Sequence, residues 1–184
     1  MYFIGSGALL NHAVAYCLSL GLKVDGASCT PGDSAIARLR TLQIPVDECI
    51  DPNAHVSMIT STCTDGVIFS INNPRRIDDG LLVAGPLFFN VHNGLVQRYR
   101  GIAEICIFAA ICRGENIYGV TLQQLKPAHK IDTGPVISQI EFAIGPQKIV
   151  QGNQIHVREL ANEFVGGHGS LGVKVQLQIH VAFA

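Results

Sequence analysis

MYFIGSGALLNHAVAYCLSLGLKVDGAS (residues 1–28) places three local patterns in a row. A short apolar run ends in Gly5-Ser6-Gly7. The segment HAVAYCLSLG carries apolar residues at helical spacing and stops at Gly21, a C-terminal helix signal. LKVDGAS reads as a second short strand. Strand, glycine turn, helix and strand make the opening unit of a parallel α/β sheet. Glycines after a strand also occur in dinucleotide-binding turns, whose full fingerprint needs a third glycine at position 10 and an acidic residue closing the second strand. Position 10 is Leu10, and Asp25 sits near the acidic place. These residues favour a tight strand-to-helix turn without a bound dinucleotide.

The pattern repeats downstream. DSAIARLRTLQ has Asp33-Ser34 as candidate caps and Ile36, Leu39 and Leu42 at helical spacing, and IPVDEC follows as a short strand. DGVIFSI and PLFFNV are apolar runs of the kind buried on both faces of a parallel sheet. GIAEICIFAAICRG reads as a helix ending at Gly114, and YGVTLQQL and PVISQIEFAI alternate like strands. The expectation is a Rossmann-like α/β domain over residues 1–184, with a mostly parallel twisted sheet and helices on both faces. The glycines of VGGHGSLG set off an irregular or strand-like tail at about residues 165–184.

The chain has 184 residues, 48% of them apolar and 15% charged, with a net charge of −1, so one domain with a sizeable core is expected. No run of Lys and Arg advertises capture of a nucleic-acid backbone. The six Cys lie mostly in apolar segments and show no C-x-x-C pair. They read as buried free thiols rather than zinc ligands, which fits a reducing cytoplasm. No secretory leader and no bilayer-length apolar run is seen, so no membrane partner is expected. The seven His residues show no ligand spacing, and no metal is expected.

The chemistry concentrates in FNVHNGLVQRYRG, residues 89–101. An apolar strand that ends on Asn90 and His92 puts both at the carboxyl edge of an open sheet, where ligands bind. Residues two apart on a strand share a face, so the pair can address one atom. An Asn amide can donate to a developing oxyanion, and a His can exchange a proton near neutral pH. The same residues could instead cap the strand and the next helix. Asp132, in the turn of HKIDTGPVIS, could orient His92 or simply bond its own backbone.

Four segments, Asn90-Val91-His92, RYRG (residues 98–101), YGVTLQQL (residues 118–125) and IDTGPVISQ (residues 131–139), together resemble the formyltransferase family, in the family's order and at similar intervals. The clear resemblance covers residues 65 to about 144. It implies the formyltransferase fold and transfer of a formyl group from 10-formyltetrahydrofolate to an amine. It assigns Asn90 and His92 to oxyanion stabilisation and catalysis, and Asp132 to proton movement through water. The segment SINNPRRIDD matches the family's pterin-pocket segment, which implies Asn72 and Asn73 at the folate, with Arg75 and Arg76 toward its glutamate tail or an acceptor phosphate. His129 and Ile131 would form the other wall of the slot.

Residues 93–97 read NGLVQ where the family usually has a loop ending in Ser-Leu-Leu-Pro. Gly94 stands at the usual Ser, and Gln97 at a rigid Pro, so a looser loop is expected. The His-Asn-Gly-Leu variant with RYRGIAEI looks most like formyltransferase domains of nonribosomal peptide synthetases. That implies an aminoacyl group on a carrier protein as acceptor, with a carrier or adenylation domain as partner. A sugar-nucleotide N-formyltransferase is the next candidate, and a folate- or nucleotide-binding module without turnover stays open. Length and charge give no sign of the extra domain that binds tRNA in methionyl-tRNA formyltransferases, so tRNA is not expected as a partner.

Overall fold

The computed structural model describes residues 1–143. The end of the strand PVISQIEFAI and the tail at about 165–184 therefore lie outside the described residues.

Among the described residues, seven strands form one sheet in the order β3-β2-β1-β4-β5-β6-β7. They are β1 (Tyr2–Gly5), β2 (Gly26–Cys29), β3 (Val46–Glu48), β4 (Val67–Ile71), β5 (Leu87–His92), β6 (Ile117–Leu125) and β7 (Val136–Ala143). The five from β3 to β5 pair in parallel, and β5–β6 and β6–β7 are antiparallel. The sheet is thus mostly parallel, as expected. Helices α1 (Gly7–Ser19) and α2 (Ala35–Thr41) bury Leu10, Val14, Cys17, Ile36 and Leu39 with Phe3, Phe69 and Val91 on one face. On the other face, α3 (Val56–Thr62) and α4 (Asp79–Leu82) bury Ile59 and Leu81 with Tyr2, Ile4, Ile68 and Phe88. Helix α5 (Ala103–Cys112) packs Cys106, Ile107 and Ala110 with Tyr99 and Tyr118 in a third cluster. None of these helices is long and apolar enough to cross a membrane.

Local chemistry explains most boundaries. Asp33 caps the start of α2: its Oδ1 accepts from the N–H of Ala35 at 2.7 Å and also from that of Gly7 at 2.9 Å. One carboxylate thereby ties two helix starts together. The second strand departs from LKVDGAS: it begins at Gly26, after Asp25. Asp25 therefore stands at the amino end of β2, the wrong end for a dinucleotide ribose. It pairs with Lys23 Nζ at 2.8 Å and accepts from the Thr64 N–H at 2.9 Å. Burial pushes its pKa up, but Lys23 and the Thr64 donors overcome it and hold the carboxyl well below the usual carboxylate range. Helix α3 has no sequence signature, because NAHVSMITST is rich in β-branched and hydroxyl residues that favour helices weakly.

The sheet centre is an aromatic ladder. Phe69 on β4 stacks between Phe3 (ring centroids 5.7 Å) and Phe89 (5.6 Å). Phe69→Ala should cost about 3–5 kcal/mol of unfolding free energy, read by urea denaturation, because the cavity lies between two strands that cannot close on it.

Candidate active site

Strand β5 delivers Asn90 and His92 to one face, opposite Gln123 and Thr121 of β6 in the antiparallel register. The turn between β6 and β7 brings Asp132 back over them. Its left-handed backbone (φ 54°) suits Asp, which tolerates that region better than most residues. Gly134 lets the turn lie against β6, since a Cβ there would overlap the carbonyl oxygen of Gln124.

His92 and Asp132 are buried, at 5% and 7% side-chain exposure, with Nδ1 3.4 Å from Oδ2. The other ring nitrogen, Nε2, lies 2.9 Å from the carbonyl oxygen of Tyr99. A carbonyl only accepts, so Nε2 carries a proton. Asp132 Oδ2 accepts from the Gly101 N–H at 2.7 Å, and Oδ1 from the Gln123 amide at 2.7 Å. The Asn90 side chain, half-buried beside this pair, makes no hydrogen bond among the described residues. The arrangement pairs a protonated imidazole nitrogen with a buried carboxylate, and strand parity puts the Asn90 amide on the same face of β5 as His92. Nearby Cys106 is no nucleophile: burial, aided by the Asp132 charge, pushes its thiol up to about 11.

The loop after His92 is not loose. Gly94, Leu95 and Val96 are buried. Thr121 Oγ1 donates to the Gly94 carbonyl at 2.7 Å, and the Tyr118 hydroxyl donates to the Asn93 carbonyl at 2.9 Å. Gln97 and Gln139 exchange amide hydrogen bonds at 2.6 and 3.2 Å. These donors do the tethering that a Pro at position 97 would do through its ring. Gly94 leaves space for the imidazole, because a Cβ there would come within 3.0 Å of His92 Nε2. Glu115 anchors the following segment, with Oε2 3.0 Å from Arg98 Nη1 and Oε1 2.9 Å from the Tyr99 hydroxyl.

The other expected site residues fall into two groups. Asn72 and Asn73 follow β4. Asn72 has φ 49°, and its Nδ2 donates to Ser6 Oγ at 3.0 Å. Asn73 Oδ1 accepts from the Arg75 N–H at 3.0 Å. Arg75 lines a hollow with Gly5, Ser28, Thr30 and Asn73, so it faces the ends of β1 and β2 rather than the turn that holds Asp132. Arg76 is exposed. His129 and Ile131 are exposed on that turn, with His129 Nδ1 3.2 Å from the Thr133 carbonyl oxygen. Gln123 escaped the sequence reading; its position in an alternating strand, pointing to the Asn90 face, was the available signal.

No protein-family model matches the chain. The phosphoribosylglycinamide formyltransferase from Bacillus halodurans superposes with a TM-score of 0.69 at 19% identity, covering 98% of this chain and 95% of that one. The chain has the formyltransferase fold. WlaRD, a sugar 3N-formyltransferase studied with dTDP and 5-N-formyl-THF, superposes with a TM-score of 0.54 at 18% identity, over 78% of this chain and 52% of that one. Methionyl-tRNA formyltransferase of Deinococcus radiodurans is 43% identical over 60 residues, 33% of this chain and 18% of that protein. The chain therefore spans under a fifth of that curated relative.

On this version of the formyltransferase fold, Gln123 is the neutral donor that holds Asp132. Gln123→Leu should leave Oδ1 buried without a partner and lower unfolding free energy by about 1.5–3 kcal/mol in urea melts.

Proposed function

We propose that the protein transfers a formyl group from 10-formyltetrahydrofolate to a primary amine. The observation that carries this reading is the buried His92–Asp132 pair at the carboxyl end of β5, with Asn90 two residues earlier on the same strand face, on a formyltransferase fold. The neutral acceptor amine attacks the formyl carbon, and the new carbon–nitrogen bond makes a tetrahedral oxyanion. The Asn90 amide and a His92 N–H donate to that oxygen. The acceptor nitrogen loses a proton toward Asp132 through water, and N10 of the folate gains one as its bond to the formyl carbon breaks. The N-formylated acceptor and tetrahydrofolate leave.

Rotation of the ring away from the Tyr99 carbonyl would release Nε2–H for the substrate oxygen, with Asp132 beside Nδ1. His129 and Ile131 fit one rim of the folate slot, with Asn72 and Asn73 on the other side. Arg75, and Arg76 beyond it, suit an anionic group, either the folate glutamate or an acceptor phosphate.

For the acceptor, the reading is an aminoacyl group on a peptide synthetase carrier domain, supported by the NGLVQ loop and RYRGIAEI. A sugar-nucleotide amine is the second reading, supported by the likeness to WlaRD and by Arg75 in the hollow beside Gly5. With 10-formyltetrahydrofolate and a panel of aminoacyl-carrier, amino-sugar nucleotide and glycinamide acceptors, tetrahydrofolate release should depend on one acceptor class. Asn90→Ala should lower kcat about 100- to 1,000-fold, and His92→Ala at least about 100-fold. Unchanged turnover in His92→Ala would refute the mechanism, and no turnover with any acceptor would favour a binding module.

A further inference from the structure

Strand β3 is the edge of the parallel half of the sheet. Asp47 on β3 lines a hollow with Met58 and Thr62 of α3, and Cys49 follows just after the strand. A 3-10 turn, Pro52–His55, is started by Asp51, whose Oδ1 accepts from the Asn53 N–H at 3.0 Å. The turn returns the chain so that His55 Nδ1 stands 3.1 and 3.0 Å from the two Asp47 oxygens. The Asp47 carboxylate, the Cys49 sulfur and a His55 ring nitrogen all lie within 4.8 Å of one another.

We propose that Asp47, Cys49 and His55 bind a divalent transition metal of the Zn2+ class. Tetrahedral zinc, with bonds of about 2.0–2.3 Å, holds its donors about 3.3–3.7 Å apart, so closing the set takes a movement of at most about 1.5 Å. Thiolate, imidazole and carboxylate together favour Zn2+ or Co2+ over Mg2+ or Ca2+, which take oxygen alone. Three protein ligands leave the fourth position for water. The carboxylate is already oriented from behind: Ser28 Oγ donates to Asp47 Oδ2 at 3.2 Å, and the Tyr2 hydroxyl lies 2.8 Å from Ser28 Oγ.

A second group, Asp25, Cys63 and Asp65, is equally compact but already holds a cation, because Lys23 Nζ sits 2.8 Å from Asp25. Among the described residues, neither Lys nor Arg pairs with Asp47. The site stands four strand spacings from β5, about 19 Å. It is separate from Asn90, His92 and Asp132, and a metal there would fasten the edge strand to the start of α3. Cysteine spacing alone does not reveal the site, because it joins one Cys to an Asp two residues before it and a His six residues after.

The test is to titrate the metal-stripped full chain with Co2+. Saturation at one equivalent is expected, with thiolate-to-cobalt charge-transfer absorption and the strong visible bands of a tetrahedral ion, both abolished by added Zn2+. Cys49→Ser and Cys49→Ala should both remove the charge-transfer band. Asp47→Asn and His55→Gln should weaken Co2+ binding at least about tenfold. Cys29→Ser, on the opposite face of β2, should keep the band. Zn2+ should raise the melting temperature of the wild type and of Cys29→Ser only. Absence of the band in the wild type, or its survival in the Cys49 variants, would overturn the assignment.

Discussion

The Asp132 carboxylate is the knot of this molecule. A buried carboxylate needs donors, and this one takes them from separate stretches of chain: the backbone of Gly101, the side chain of Gln123 and the His92 ring. Each tie fixes something else. The Gly101 bond sets where the segment before α5 begins, and Gln123 locks the β6–β7 turn onto the sheet. The His92 contact completes the pair at the end of β5. None of the three segments reaches this geometry by itself, so the site and the antiparallel half of the sheet stand or fall together.

The fold was legible where the sequence carries a strong period or stop. Gly21, Gly114, the caps before Ile36 and the double apolar runs of β4 and β5 all mark real boundaries. Helix α3 was not legible, because tertiary burial of Ile59, rather than propensity, makes that segment helical. Strand β2 was displaced because GASC has too little apolar content to announce itself; its small residues are chosen by crowding, as at Gly26, which Tyr2 and Pro45 closely approach. For the site, residue type plus strand parity was enough to pair Asn90 with His92. That Asp132 meets His92, forty residues earlier, is implied by the motif order, not by spacing.

Residues 93–97 show how a loop without a proline can be held in place. Gln97 supplies no ring constraint, and its pairing with Gln139 on β7 supplies a long-range one. Gly94 leaves space beside the imidazole. The loop keeps its order while its chemistry changes.

The reversal of strand direction between β5 and β6 has a further consequence. In a wholly parallel sheet, groups around the end of a strand come mainly from loops. Here β6 runs past the end of β5 in the opposite sense, so Thr121 and Gln123 meet His92 and Asp132 from within a hydrogen-bonded strand. His92 and Asp132 are thus braced by sheet interior on one side and bordered by exposed turns on the other. Sequence changes in those turns can reshape the rim while the brace stays fixed.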